Sequence, residues 1–384
     1  KKGYFIEKLS ANINYNNLDQ NKKLDEIVDL IFPVVCEYQE EILKISSNRD
    51  KNYFFKPFLK NYISEYLNYK AYWEKHFLNI QSNKARAFLV GTPSSAMELS
   101  YIEIAKKHSI ITASFQHGIS KEISRDILSI DVLYESNIVD HYFVFNREAG
   151  KNSNKGRFNI AKEHVVGLAE DMKKGLKNQK YNNMHPILYA STTLYCGNRG
   201  IPGRSGSSDI NKANFEINII ENVLSKLPYK VQYKPYYSKR YAGPKVELEI
   251  AKDKENISIN SAEIDLRYIV GNSRVVITSR ATSTIGWCIL SGKPIIYIEN
   301  EDNRLSKKAS EEFKNNIFYF DVREKGWETK LRQLLSLSLE DIDKKWKEKE
   351  LDRNSFLETY FGWKDVNAEK NCANIILDEI RKKI

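Results

Sequence analysis

The sequence predicts an α/β protein with two parallel-sheet halves, preceded by a helical region and closed by a helical tail. Three observations lead there. Short β-branched apolar runs recur between longer amphipathic stretches from Ala87 to Phe320. Residues 275–299 read strand, polar loop, short helix, strand, which in so few residues is a βαβ unit of a parallel sheet. Residues 171–183, rich in Lys and Asn, interrupt the series and read as a linker between two halves.

The βαβ stretch organises the rest. Val275, Val276 and Ile277 suit a strand buried on both faces. Thr278-Ser279-Arg280-Ala281-Thr282-Ser283-Thr284 follows as a small polar loop with one fixed positive charge, then an apolar helical segment from Ile285 to Leu290. Ser291-Gly292 ends it, and Pro294 opens a second apolar run to Ile298. Parallel sheets bind ligands beyond the carboxyl ends of their strands, where this loop sits. Helix N-terminal amides, the hydroxyls of Ser279, Thr282, Ser283 and Thr284, and Arg280 make a phosphate cradle. The competing explanation is that Thr282 or Ser283 only caps a helix.

A chain of 384 residues, 41% hydrophobic and 12% aromatic, is long for one core and predicts two domains. No apolar stretch approaches the roughly 20 residues of a membrane span, and no signal peptide is recognisable. A start at Lys1 reads as a fragment, with further domains of a larger chain expected. The net charge of +10 is dispersed. It favours anionic ligands, allows peripheral contact with an anionic membrane face, and comes with no nucleic-acid motif. Cys36, Cys196, Cys288 and Cys372 form no CxxC pair, which predicts reduced thiols, a cytoplasmic location and no structural zinc.

In chain order, residues 1 to about 80 predict helices. Leu24, Ile27, Val28, Leu30, Ile31, Val34 and Val35 are helically spaced around Pro33, a predicted kink, and the aromatics of residues 53–80 form one helix face expected to pack against the neighbouring acceptor-side domain. The first α/β series has strands at 87–90, 110–115, 141–145 and 165–168, with a helix at 96–108. Its second strand ends in Gln116-His117-Gly118, where Gly118 permits a tight turn and His117 points into the cleft. Glu135 lies in the segment 133–137. The second series begins with a strand at 187–190 and Ser191-Thr192-Thr193. A basic Gly/Ser-rich loop, 197–208, carries Arg199 and Arg204 and runs into Asp209; it reads equally as a cleft loop or a disordered surface loop. A helix at 213–227, a strand at 229–233 ending in Lys234-Pro235-Tyr236-Tyr237, a helix at 262–271 bearing Glu263 and Asp265, and a strand at 317–320 complete it. The predicted domains are a helical region, 1–84; an acceptor-side domain, 85–175; a donor domain, 184–338; and tail helices, 339–384.

Two Rossmann-like halves, a linker and a helical tail match the GT-B architecture of nucleotide-sugar glycosyltransferases, although the pattern alone also fits periplasmic-binding-protein-like and epimerase folds. Specific residues go further: Phe115-Gln116-His117-Gly118, the stretch Ile187 to Thr193, Tyr233-Lys234-Pro235-Tyr236, and the block 279–298 with Gly292-Lys293-Pro294. As a set these resemble bacterial surface-polysaccharide transferases, and most of all the β-Kdo glycosyltransferases of capsule and lipopolysaccharide (O-antigen) assembly, which use CMP-Kdo (Kdo is 3-deoxy-D-manno-oct-2-ulosonic acid). The likeness spans about residues 85–300. One departure is Lys234-Pro235-Tyr236-Tyr237, where related transferases often read K-P-H-P.

The resemblance implies a CMP-β-Kdo donor, a sugar or lipid-linked glycan acceptor, and retention of the β configuration. Retention by double displacement needs a carboxylate nucleophile, for which Asp209 is the first candidate. Glu135 is the candidate general acid/base, and His117 orients acceptor or donor. Lys234, Arg280, Thr282 and Ser283 would hold the phosphate, with Tyr236, Ser279, Thr284, Ser191 and Thr192 completing the CMP subsite. Arg199 or Arg204 would take the sugar carboxylate, and Gln116 and Gly118 shape the cleft. The competing roles are a helix N-cap for Asp209 and a solvated loop carboxylate for Glu135. CMP leaves with its own phosphate charge and no D-x-D triplet of a metal-dependent transferase is recognised, so neither metal nor cofactor is expected. A sialic-acid or polyol-phosphate transferase and a non-catalytic polysaccharide-binding domain are the alternatives.

Overall fold

A computed structural model describes residues 18–43, 55–82, 87–91, 93–119, 122–125, 135–153, 159–173, 185–191, 208–236, 245–261, 264–301, 304–362 and 366–383. The chain separates into two compact units, Lys1–Ala85 with Ser94–Ile110, and Arg86–Pro93 with Ile111–Ile384.

The first unit holds α1 (Leu18–Leu43), α2 (Lys56–Ser82) and α3 (Ala96–Lys107). Ser95 and Glu98 form a capping box that fixes where α3 starts. The aromatic face of α2 is used within this unit: Trp73 meets Tyr101 edge-on at 4.6 Å between centroids, and Phe77 stacks on His108 at 4.5 Å. On α1 only Leu24 and Val28 of the expected apolar set are buried, while Ile27, Leu30 and Val34 face outward. Pro33 lies inside this helix.

The second unit carries two all-parallel sheets. The first contains β1 (Ala87–Val90), β2 (Ile111–Phe115), β3 (His141–Val144) and β4 (Lys162–Val165), side by side in chain order. The second contains β5 (Ile187–Ala190), β6 (Val231–Lys234), β7 (Ile257–Ile259), β8 (Val275–Ser279), β9 (Ile295–Glu299) and β10 (Phe318–Asp321). Its order is β10-β9-β8-β5-β6-β7. Read from the other edge this is 3-2-1-4-5-6, the doubly wound order whose direction reverses between its first and fourth strands. Every residue of β5, β8 and β9 is buried, as suits their largely apolar runs.

Helices α4 (Arg147–Ser153), α5 (Asp209–Asn222), α6 (Val246–Lys252), α7 (Ser283–Leu290) and α8 (Lys307–Asn316) lie between successive strands, and α9 (Trp327–Leu335) follows the last one. The tail is α10 (Leu339–Lys347), α11 (Glu350–Phe361) and α12 (Ala368–Lys382). Phe356, Tyr360 and Phe361 enter the same core as α7 and β9, each stabilising by about 2–3 kcal/mol on the area it removes from water. The tail then reaches the first sheet, where Ala368 and Ile376 pack with Ile111, Ala113 and Phe143. Gly362 makes the crossing: its φ is 80°, and a Cβ there would lie 2.7 Å from the Phe145 carbonyl.

Several predicted elements differ from those observed. The helix expected at 213–227 starts at Asp209 and ends at Asn222, because Ser208 accepts the Asn211 N–H at 3.2 Å and acts as the cap. The helix expected at 262–271 is two 3-10 turns, Leu266–Tyr268 and Val270–Asn272; the Asp265 side chain takes the Arg267 N–H and starts a tighter turn. The strand expected at 165–168 is Lys162–Val165, with Gly167 at φ 91° just beyond it. Strand β7 and helix α6 have no counterpart in the expectation, since three residues and seven are too few for a periodicity to emerge. In the predicted linker, Glu170–Lys173 is a helical turn and residues 174–183 fall outside the described residues.

One feature of the first sheet sets an acid response. His141 and His164, on β3 and β4, place Nδ1 and Nε2 3.0 Å apart, so the neutral pair shares a single proton. Burial pulls both rings below their ordinary value, and His164, with His141 and Lys162 beside it, falls to about 4 although Glu379 opposes the shift. Asp140 and Glu379 act upward on His141 and Lys162 and Lys383 downward. The folded state therefore binds fewer protons than the unfolded chain between about pH 4 and 6.5. Stability is fully present above that window and declines as the pH falls through it. The slope is at most about 1.4 kcal/mol per pH unit per proton, and less for these partly screened rings. The His164→Phe variant should lose melting temperature less steeply between pH 7 and pH 5 than the parent; parallel curves would remove the pair as the source.

Candidate active site

The reversal point of the second sheet lies between β5 and β8, and doubly wound sheets hold their ligands beyond the carboxyl ends of the strands at such a point. Ser191 follows β5, Arg280 follows β8, and the Thr278 hydroxyl donates to the Ala190 carbonyl at 3.2 Å, tying the two ends together. Thr278 and Ser279 belong to the strand and are fully buried, so the loop proper is Arg280-Ala281-Thr282. Arg280 has φ 89°, a left-handed conformation rare outside glycine, yet its side chain is only 7% exposed. A long cation held in a strained backbone at a strand end is a feature found at ligand clamps. Thr282 takes the N-cap position of α7 without a side-chain capping bond, and its hydroxyl is buried with no partner among the described residues. Capping therefore does not account for Thr282. Ser283 and Thr284 form the first turn, presenting the helix N–H groups. At the end of β6 Lys234 is buried, and burial lowers its pKa; Lys245 adds to this and Asp265 opposes it. Tyr236 is exposed.

The Gln116-His117-Gly118 turn of the first sheet meets this loop directly. A Cβ on Gly118 would come within 2.6 Å of the Ser283 Cβ, and one on Gly286 within 2.7 Å of Ile119. Gly118 is not in the left-handed region, so close approach to Ser283, and not turn geometry, is what demands glycine. Gln116 holds the turn: its amide donates to Gly118 O at 2.9 Å and to Glu122 at 3.0 Å, and its oxygen accepts the Phe145 N–H at 2.9 Å. Glu135 is fully buried and is no solvated loop carboxylate. It accepts the His117 N–H at 3.2 Å and the Tyr142 hydroxyl, and so supports the turn from within. The His117 residue itself is exposed.

Asp209 opens α5, whose N-terminus lies at the carboxyl edge of the sheet because the helix runs antiparallel to the strands it joins. It is the first helical residue, its side chain about one-third exposed, and Ser208 is the cap. Behind it runs a buried polar row that periodicity does not single out. Lys212 donates to Asp209 Oδ1 at 3.3 Å, and Glu216, one turn on, accepts from Tyr189 at 3.1 Å and Tyr233 at 2.7 Å. Burial and then Glu216 push both tyrosine hydroxyls well above their usual pKa, which keeps them donors. The available signal was the four-residue spacing of Lys212 and Glu216, facing tyrosines at matching positions of two strands.

Thr192, Arg199, Arg204 and Glu263 lie outside the described residues. Asp265 is an exposed partner of Arg267. The triplet Asp341-Ile342-Asp343 is far from metal duty: Asp341 accepts from Ser338 at 2.6 Å, and Asp343 pairs at 2.6 Å with Arg274, at the amino end of β8. Among the described residues no group of three or more His, Cys, Asp or Glu is placed to hold a metal ion.

No family model matches the chain, and no curated protein matches it in sequence. Solved structures do. A UDP-N-acetylglucosamine 2-epimerase is similar over 83% of this chain and 77% of its own, with a TM-score of 0.52 and 11% identity. The fold is GT-B-like. The UDP-GlcNAc 2-epimerase of Neisseria meningitidis, bound to UDP-GlcNAc, is similar over 83% of this chain and 81% of its own, with a TM-score of 0.50 and 12% identity. At such identities the likeness is one of fold.

Proposed function

We propose that the protein is a nucleotide-sugar glycosyltransferase of bacterial surface-polysaccharide assembly, and that its donor is CMP-β-Kdo. The observation that carries the proposal is the strained, buried Arg280 at the reversal point of the sheet, between Ser191 and the N-terminus of α7. Cation, helix amides and the Thr282 hydroxyl suit a phosphate, and Lys234 adds a second cation from the next strand. In this mechanism a carboxylate oxygen of Asp209 attacks the anomeric carbon. The bond from that carbon to the CMP phosphate oxygen breaks, and the electron pair leaves with CMP. The acceptor hydroxyl then gives up its proton and displaces Asp209 from the same carbon, so two inversions retain the β configuration. His117, exposed on the turn that Glu135 supports, is assigned here to take that proton, since its exposure leaves it open to an acceptor. Arg199 and Arg204 would meet the sugar carboxylate. The chemistry calls on no metal or cofactor, and transfer is expected to persist in excess EDTA.

Thermal melts with CMP, CDP, UDP and GDP test the donor class. A nucleotide at a hundred times its Kd stabilises by about 2.7 kcal/mol, and CMP should give the largest shift. A preference for UDP would point to UDP-sugar chemistry instead. A flat response to all four would favour a non-catalytic polysaccharide-binding domain.

A further inference from the structure

Lys212 is the group in this region hardest to explain as packing. Its side chain is 1% exposed, and it sits in the first turns of α5, where the helix dipole disfavours a cation. Burying an ammonium there is expensive unless it is paired and hydrogen-bonded. Its bond to Asp209 Oδ1 spans 3.3 Å and leads from the buried side of α5 to a carboxylate one-third exposed, while Glu216, one turn on, accepts from Tyr189 and Tyr233. The two strands supplying those tyrosines also end in Ser191 and Lys234. Glu216 is thus tied by hydrogen bonds to two adjacent buried strands.

We infer that Lys212 is a positioning residue for Asp209: by holding Oδ1 it fixes the plane of the carboxylate and the direction from which it meets the anomeric carbon. This rests on Asp209 as the nucleophile. Asp209 takes its backbone position from Ser208 and the helix start, which leaves its side-chain torsions to be set by contacts such as this one. A misaimed nucleophile loses on the order of a hundredfold in rate without losing substrate.

Parent protein, Lys212→Met, Asp209→Asn and the double variant, each the full chain, would be compared for CMP-Kdo consumption with acceptor and for stabilisation by CMP. Lys212→Met should lower kcat about a hundredfold with KM for CMP-Kdo and the CMP shift unchanged. In the Asp209→Asn background the same substitution should have no further effect, because Lys212 acts only through Asp209. An Asp209→Asn protein that is nearly inactive, beside a Lys212→Met protein at the parent rate, overturns the inference alone. Losses that multiply in the double variant, or a CMP shift that falls with kcat, make Lys212 merely structural and overturn it too. Failure of the parent to consume CMP-Kdo, or parent-like turnover by Asp209→Asn, overturns the underlying mechanism and this assignment with it.

Discussion

Asp209→Asn should abolish transfer almost completely, by several orders of magnitude, while leaving CMP binding near that of the parent. The amide keeps the size of the carboxylate and can still accept from Lys212, but it has no anionic oxygen for attack on the anomeric carbon. Because Ser208 is the cap, the change leaves the start of α5 in place. What is lost is the attraction between a carboxylate and the helix N-terminus, about 0.3–1 kcal/mol, with part of the Lys212 pairing. A small drop in melting temperature with a collapse in kcat is the expected pair of results. If the purified variant transfers at close to the parent rate, Asp209 is structural, and Glu135, Asp265 and Glu263 become the carboxylates to examine.

Arg280→Gly should do the reverse of an ordinary truncation, holding the fold while losing the nucleotide. At φ 89° a residue with a Cβ is strained by roughly 1–2 kcal/mol, and glycine is not. Removing the guanidinium removes a charge-assisted hydrogen bond to phosphate, worth about 1.5–3 kcal/mol, or roughly ten- to a hundredfold in Kd for CMP. Arg280→Ala keeps the strain and should bind CMP equally poorly while melting lower than the glycine variant. Calorimetric titration with CMP, paired with thermal melts, separates the two effects. Undiminished CMP affinity in a folded Arg280→Gly protein would place the phosphate elsewhere.

The tail illustrates how fold and site depend on each other at a distance. Asn146, at the start of α4, donates to the Tyr360 carbonyl at 2.8 Å and to Glu122 at 2.6 Å, and Glu122 in turn accepts from Gln116. The helices after residue 339 are therefore connected to the turn that bears His117 by three hydrogen-bonding side chains, all buried. Nothing in the local sequence of Gln116-His117-Gly118 announces that link.

By itself the sequence determined what depends on local pattern. Short runs of mostly apolar residues gave β5, β8 and β9, because a strand covered on both faces is built largely from apolar side chains. Val275 to Leu290 gave the strand, loop and helix that carry Arg280, since the switch from strand to helix is written in neighbouring residues. The tertiary structure decided what depends on partners distant in the chain. The order β10-β9-β8-β5-β6-β7, which puts the Arg280 loop at the point where the sheet reverses, arises from pairing that no local window contains. Gly118 is required by Ser283, 165 positions away, and not by its own turn. Glu135, which could have stood in solvent, is enclosed by Tyr142 and the His117 N–H. Asp209 and Lys212 are three residues apart and visible as a pair on one helix, but that the lysine is buried, with its ammonium paired to Asp209, follows only from the packing of that helix in the fold.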